Sequence, residues 1–288
     1  MRILVTGATG FVGANLVHAL VEEASNKVFI TVRPTSILWR VEDIQEKLQD
    51  FYPVDLSDRK QVFNLIEHVK PDVIYHLATY GGFKKELDID NTIKTNLFAT
   101  IHLLDAAVQL NVKHFVNTGS SSEYGMKDHP MKEDSVCCPS NLYGVTKLAA
   151  TNYCSMIGKR RLYKVCTLRL FSPYGKFEDS TRLYPTIVNA LLAGKRPQLS
   201  NPKNVRDFIE VSQVVSIFKK VINCEYDPGD IINVGSGSQQ TVEEFYKKIA
   251  DSMNSKIEPL WYAAPTQTLE PNMWEADIRK LQKLHLIG

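Results

Sequence analysis

The chain has 288 residues, 44% of them hydrophobic, 9% aromatic and 23% charged, the profile of a globular protein with one large domain or two sharing a core. Its 34 Lys and Arg nearly balance 32 Asp and Glu, for a formal charge of +2, and neither sign forms a long block. A nucleic-acid footprint and a polyacidic tail are thereby excluded, the longest apolar runs are too short to span a bilayer, and a cytoplasmic protein with no membrane partner is expected.

Arg2–Thr6 (RILVT) reads as a buried strand, and Phe11–Glu23 follows as a helix with apolar residues at helical spacing. Val28–Val32 and Phe51–Val54 give two more strands, and Asp58–Val69 a helix that Pro71 ends. Val73–Leu77, a helix over Thr92–Gln109 and the strand His114–Thr118 continue the alternation. Strands rich in Val and Ile on both faces, linked by helices, imply a parallel sheet covered on both sides, the doubly wound (Rossmann) α/β arrangement. After Arg169 the pattern loosens, and Pro173, Pro185, Pro197 and Pro202 punctuate short elements. Helices are expected at Tyr184–Ala193, Val211–Asn223 and Val242–Met253, and a strand at Ile231–Val234 after the Pro228-Gly229 turn. Residues 1–170 are therefore expected to form the sheet domain and 171–288 mainly a smaller domain on its carboxyl edge, with some elements after 206 returning to the first.

The five cysteines, Cys137, Cys138, Cys154, Cys166 and Cys224, are odd in number and irregularly spaced, which fits reduced thiols. No CxxC occurs and no two of the seven histidines lie within five residues, so no metal site is expected. The adjacent Cys137-Cys138 pair reads as inert for want of an activating base nearby.

Thr6-Gly7-Ala8-Thr9-Gly10-Phe11-Val12-Gly13 joins the first strand to the first helix. Gly7 permits a tight turn, Gly10 lets the backbone approach a pyrophosphate, and Gly13 lets helix and strand pack closely. The helix start offers N–H groups and a positive dipole end to phosphates. Glycines also serve plain turns, but three of them after the first strand of an alternating pattern point to a dinucleotide. A cofactor with a 2′-hydroxyl usually meets Asp or Glu about 20 residues beyond the loop. That place reads Thr31-Val32-Arg33-Pro34, and Arg33 can pair with a 2′-phosphate, which favours NADP(H) over NAD(H). A solvated surface arginine is the plainer alternative. Asp55, in Val54-Asp55-Leu56, either meets an adenine amino group or caps the following turn.

Tyr143-Gly144-Val145-Thr146-Lys147 opens the helix after the serine turn, and its i, i+4 spacing puts Tyr143 and Lys147 on one face. An ammonium beside a phenol favours phenolate, lowering a pKa of about 10 towards the range of an acid–base catalyst. By itself YxxxK usually marks a solvated helix face. The turn Thr118-Gly119-Ser120-Ser121-Ser122-Glu123-Tyr124-Gly125 raises its significance, because it lies at the carboxyl end of the fifth strand, where open α/β sheets bind ligands. A serine there can donate a hydrogen bond to a substrate oxygen as charge develops.

From residue 3 to about 240, the motifs TGATGFVG, YHLA at Tyr75–Ala78, the serine turn, YGVTK and Arg206-Asp207-Phe208-Ile209 together resemble the extended short-chain dehydrogenase/reductase family. Its members are mostly sugar-nucleotide epimerases, dehydratases and reductases. The resemblance implies Tyr143 as acid–base, Lys147 as its partner and ribose ligand, and Ser120 as the catalytic hydroxyl. It implies cofactor contacts at Gly7, Thr9, Gly10, Phe11, Val12, Gly13, Arg33, Asp55, Leu56, Leu77, Ala78, Thr79, Asn96 and Thr118. Substrate contacts are implied at Tyr80, Gly81, Ser121, Ser122, Phe171 and Arg206, the last reaching the substrate's ribose or phosphate unless it is a surface ion pair. Two helices, here Thr92–Gln109 and Leu142–Ile157, commonly form a four-helix bundle in a homodimer of this family.

Dehydratases of the family carry a Glu, often an Asp-Glu pair, after the active serine or threonine. Ser121 and Ser122 occupy those places here, and Glu123, one residue later, points elsewhere, so dehydration is disfavoured. Tyr80-Gly81-Gly82 lacks the second alanine of the usual HLAA, which implies a specialised substrate loop. The end at Leu286-Ile287-Gly288 falls short of the usual family length, implying truncation or a disordered tail. The expected reaction is NADPH-dependent reduction of the C4 ketone of a 4-keto-6-deoxy sugar nucleotide. An NAD-dependent epimerase, which needs the same Ser, Tyr and Lys, is the alternative, and a non-catalytic nucleotide-binding protein the third reading.

Overall fold

The computed structural model describes residues 1–82, 88–262 and 271–287. Strands β1 (Arg2–Thr6), β2 (Lys27–Val32), β3 (Asp50–Pro53), β4 (Val73–His76), β5 (His114–Ser120) and β6 (Val165–Leu170) join the strand Asp230–Val234 in one sheet. The order is Asp230–Val234, β6, β5, β4, β1, β2, β3, with every neighbouring pair parallel. The chain runs outward from β1 to β3 and then crosses back to β4, so the direction of winding reverses between β1 and β4. Open α/β sheets bind ligands at the carboxyl ends of strands beside such a reversal. The sequence pattern passes over β6, although all six of its side chains are buried. Its run VCTLRL sets Thr167 and Arg169 among the apolar residues, and Arg169 is buried only because Glu123 pairs with it, so the residues alone do not read as a buried strand.

Among the described residues the α-helices are α1 (Phe11–Val21), α2 (Arg59–Val69), α3 (Ile89–Ile93), α4 (Ala99–Gln109), α5 (Leu142–Arg161), α6 (Leu183–Leu192), α7 (Val211–Val221), α8 (Val242–Ser252) and α9 (Arg279–Lys283). On one face of the sheet α1 packs Leu16, Val17 and Leu20 into the same core as Val214, Phe218 and Val221 of α7. On the other, α2, α4 and α5 bury Val62, Ile66, Leu103, Leu104 and Cys154. Burying each large apolar side chain contributes about 1.5–3 kcal/mol, so the two covered faces hold the sheet rigid. The doubly wound fold is therefore the one the alternation implied. Between α3 and α4, residues Lys94–Phe98 form a π turn where an unbroken helix was expected.

A smaller lobe forms around α6 and α8, whose Ile187, Leu191, Phe245 and Ile249 share a separate core. The Phe245 and Phe208 rings stack there with centroids 3.9 Å apart. The strand Asp230–Val234 and α7 belong to the main sheet and its covering layer, so residues after 170 feed both lobes. Gly288 lies outside the described residues. Among the described residues no helix is long and apolar enough to cross a membrane, and no group of three His, Cys, Asp or Glu is placed to hold a metal ion.

Candidate active site

A cleft of about 1070 Å³ lies between the carboxyl edge of the sheet and the smaller lobe. Of the expected site residues, Gly7, Gly10, Phe11, Val12, Gly13, Leu77, Thr79, Gly81, Thr118, Ser120, Ser121, Ser122, Tyr143, Phe171 and Arg206 line it. The glycine loop is tightly determined. Gly7 has φ +70, and a Cβ there would stand 2.4 Å from the Ala78 nitrogen, so no side chain fits between the loop and the end of β4. A Cβ at Gly13 would meet the Gly7 carbonyl oxygen at 2.2 Å, which is the close helix–strand packing the spacing implied. The first turn of α1 carries no acidic residue, so nothing there opposes an anion at its positive end.

Tyr143 and Lys147 rise from α5, whose start is fixed by the Asn141 side chain accepting the Gly144 N–H at 2.8 Å. Burial pushes the Tyr143 phenol above its usual range, while the Thr79 and Ser120 hydroxyls and the Arg182 charge draw it the other way. The net direction is upward, a correction to the expectation that Lys147 lowers it. Lys147 is itself 2% exposed, and burial lowers its own pKa against the pull of Glu123. Desolvation of the phenol outweighs the two hydroxyls and Arg182, so in this state Tyr143 is a neutral proton donor. Ser120 Oγ accepts the Ser122 N–H at 3.1 Å, which leaves its own proton to donate towards the cleft.

Behind this set lies a buried network that the sequence reading did not find. Asn96, in the π turn, accepts from Thr79 Oγ1 at 3.1 Å and from the Tyr80 N–H at 2.8 Å. Its amide donates to the Tyr80 carbonyl at 2.9 Å and to Thr146 Oγ1 at 3.0 Å, and Thr146 donates to the Tyr143 carbonyl at 3.0 Å. Asn96 does not line the cleft. It ties the loop after β4 to the helix that carries Tyr143, so its place is structural support. His76 is buried and neutral, its pKa lowered to about 3 by desolvation and then by Lys147. Thr100 Oγ1 donates to the Asn96 carbonyl, so His76 Nε2 carries the proton donated to Thr100, and Nδ1 accepts from Thr6 at 2.7 Å. Glu123 turns away from the cleft as expected: one oxygen accepts the Ser120 N–H at 2.8 Å and the other meets Arg169 Nε at 2.7 Å in a fully buried pair.

The description of the NAD dependent epimerase/dehydratase family matches residues 3–235. The chain belongs to that family. It is 26% identical over 294 residues to the uncharacterized UDP-glucose epimerase YtcB of Bacillus subtilis, covering 99% of this chain and 92% of that one. With a dTDP-4-dehydro-6-deoxyglucose reductase of Escherichia coli it shares 25% over 267 residues, covering 88% and 82%. Among solved structures, the UDP-glucuronic acid 4-epimerase of Bacillus cereus in complex with UDP-glucuronic acid and NAD superposes with a TM-score of 0.84 at 25% identity, covering 99% and 92%. This is thus an enzyme family of nucleotide-sugar metabolism, and it is NAD-dependent.

Two groups fit the family's dinucleotide. Thr118 Oγ1 is buried on the cleft side of β5 with no hydrogen-bond partner among the described residues. No hydrogen bond or ion pair of the buried Lys147 ammonium is found among them either, and a buried charge is costly until ligand hydroxyls meet it. Other family positions stand back from the cleft. Arg33 follows β2 exposed, its N–H donating to Ser36 Oγ at 2.8 Å. Asp55 accepts the Ser57 N–H and hydroxyl at 2.9 and 2.7 Å, the turn-capping alternative. Leu56 packs against the α2–α4 core, and Thr9, Ala78 and Tyr80 support the loops by their backbone. Sequence reasoning missed Arg40, Glu178, Asp179 and Arg182, which all line the cleft. Glu178 is raised to about 7, chiefly by burial. The short FEDSTR run and the Ile37–Arg40 stretch gave no local signal for them. Cys137 and Cys138 are free thiols, and burial pushes Cys137 up, away from the reactive thiolate.

Proposed function

We propose that this protein reduces the C4 ketone of a 4-keto-6-deoxy sugar nucleotide with NADPH. The observation that carries the redox reading is the hydroxyl set Ser120, Tyr143 and Thr79 at the sheet's carboxyl edge, with Lys147 buried nearby. When bound, the nicotinamide supplies the hydride. Tyr143, neutral because it is buried, gives its proton to the ketone oxygen as negative charge gathers there. The Ser120 hydroxyl donates to the same oxygen and steadies it. The phenolate left behind is then stabilised by the Lys147 and Arg182 cations until it regains a proton from solvent. Arg33, directly after β2 with no carboxylate beside it, supports the NADPH preference by offering a fork to a 2′-phosphate. Arg206, on the lobe side of the cleft, is assigned to the substrate's phosphate or ribose.

A second reading, NAD-dependent C4 epimerisation with the same residues, draws support from the likeness to UDP-glucose and UDP-glucuronic acid epimerases. Dehydration has less support, because the carboxylate after the active serine is locked on Arg169. NADPH consumption with CDP-, dTDP- and GDP-4-keto-6-deoxyhexoses, products read by mass, tests the choice. One NADPH oxidised per sugar gaining two hydrogens is expected. No consumption, with NAD(H) carried through purification and UDP-hexoses interconverted, replaces the reductase with the epimerase. We further assign the cofactor to residues 1–170, the substrate mainly to 171–288, and a homodimer to the outer faces around α4 and α5. Phe98, Val145 and Met156 are exposed on those faces. A monomer in sedimentation at micromolar concentration removes the dimer.

A further inference from the structure

The segment Gly175–Arg182 comes from the second half of the chain, yet it is fastened to the nucleotide loop of the first. Asn15, in the first turns of α1, donates to the Lys176 carbonyl at 2.7 Å. Arg40 bridges the two parts directly: Nε donates to the Phe177 carbonyl at 2.8 Å, and Nη1 donates to the Thr9 carbonyl in the glycine loop at 3.2 Å. Phe177 is held at φ 69, a left-handed conformation that costs a non-glycine residue about 1 kcal/mol. Its ring sits against His18 at 4.9 Å and edge-on to Trp39 at 5.8 Å, contacts that repay the strain.

We propose that Arg40 is a binding residue for the diphosphate of the dinucleotide, and that with Phe177 it closes residues 175–182 over the glycine loop as a clasp that limits cofactor release. The inference rests on the dinucleotide reading above and holds for reductase and epimerase alike. A guanidinium has five N–H donors, and two of Arg40's are spent on the two carbonyls, which leaves three for an anion. Arg40 lines the same cleft as Gly10 and Gly13, and it is anchored on the glycine loop itself. The helix end supplies only about half a positive charge, so a full cation beside it adds the larger share for a diphosphate. Asp179, the neighbouring acid on the clasp, accepts the Thr181 N–H and hydroxyl at 3.0 and 2.6 Å and acts on Arg40 only through its charge, so the Arg40 N–H groups themselves stay available. Arg40 therefore does two things at once: it meets the anion, and it pins the strap that covers it.

Stopped-flow displacement of bound NADPH and NADH, with equilibrium titration, tests this on the full chain. Arg40→Ala is expected to weaken the preferred dinucleotide about tenfold or more, the scale of one charge-assisted contact. Arg40→Lys keeps the charge but not the fork, and is expected to regain part of the affinity while its cofactor still leaves faster than from wild type. Phe177→Ala keeps Arg40 and is expected to raise the dissociation rate about fivefold or more with a smaller change in association rate. If Arg40→Ala does not fold, Phe177→Ala and Asn15→Ala carry the test. Folded variants whose affinity and dissociation rate stay within twofold of wild type overturn the clasp and leave the proposed function standing. A wild-type protein that binds neither dinucleotide overturns both.

Discussion

The two walls of the cleft are built in different ways. On the sheet side, Ser120, Thr118 and the glycine loop sit on strand ends and turns, and Asn96 and Glu123 fix the surrounding loops through buried hydrogen bonds. On the lobe side, Glu178, Arg182 and Arg206 come from short strands and loops: Arg182 is exposed, Arg206 half-buried and the Glu178 side chain largely buried. On the proposed function, chemistry, which needs fixed geometry, falls to the sheet wall, and recognition, which tolerates adjustment, to the lobe wall.

The sharpest test of that division is Tyr143→Phe. It is expected to lower kcat by about a thousandfold, as loss of a general acid does, while the cofactor dissociation constant moves less than about threefold. A variant turning over as fast as wild type moves the acid elsewhere or makes the protein non-catalytic. Next in size is the support under the serine turn. Arg169→Met strands Glu123 in a buried site and is expected to cost about 3–5 kcal/mol of stability, read as a drop in urea midpoint. Activity is expected to fall with it, because Glu123 also holds the Ser120 N–H. On the lobe side, Ile187→Ala empties part of the separate core and is expected to cost about 2–4 kcal/mol there. Substrate KM rises while NADPH affinity stays unchanged; equal losses of both would erase the distinction between the walls.

The smallest expected effect is a pH dependence. The Glu178 pKa is raised to about 7, so the carboxyl is neutral below that value and charged above it. Its ionised form repels a substrate diphosphate and offsets Arg182, so KM is expected to rise about two- to fivefold between pH 6 and 8. Glu178→Gln is expected to flatten that rise. The same shift bears on stability with a definite sign: a carboxyl raised on folding contributes most below its unfolded value near 4.5, and the contribution fades as pH climbs through about 7.

Several parts of this site were legible in the residue order because they are local. The GxxGxxG spacing needs only one turn and one helix start, and Gly7 and Gly13 prove to be places where no side chain fits. Tyr143 and Lys147 share a helix face by spacing alone, and the serine turn that holds Ser120 follows directly on the strand expected at His114–Thr118. Glu123 pointing away from the cleft also followed from counting one residue along a turn.

What the order of residues could not reveal depends on groups far apart in sequence. Asn96 was reached only through the family resemblance, as a cofactor contact, and its ties to Tyr80 and to Thr146, the latter 50 residues away, arise only where the π turn brings them together. The direction of the Tyr143 shift is decided by how much water the fold removes, and no spacing of charges encodes that quantity. Arg33 was visible because it follows a strand, whereas Arg40 became visible only when Phe177 arrived from 137 residues along the chain. Short-range periodicity determined most of the sheet, the glycine loop and the shared face of Tyr143 and Lys147, since backbone geometry repeats every two or four residues. The tertiary structure alone decided desolvation, charge pairing across the cleft and the strap over the loop, because those energies depend on distances in space.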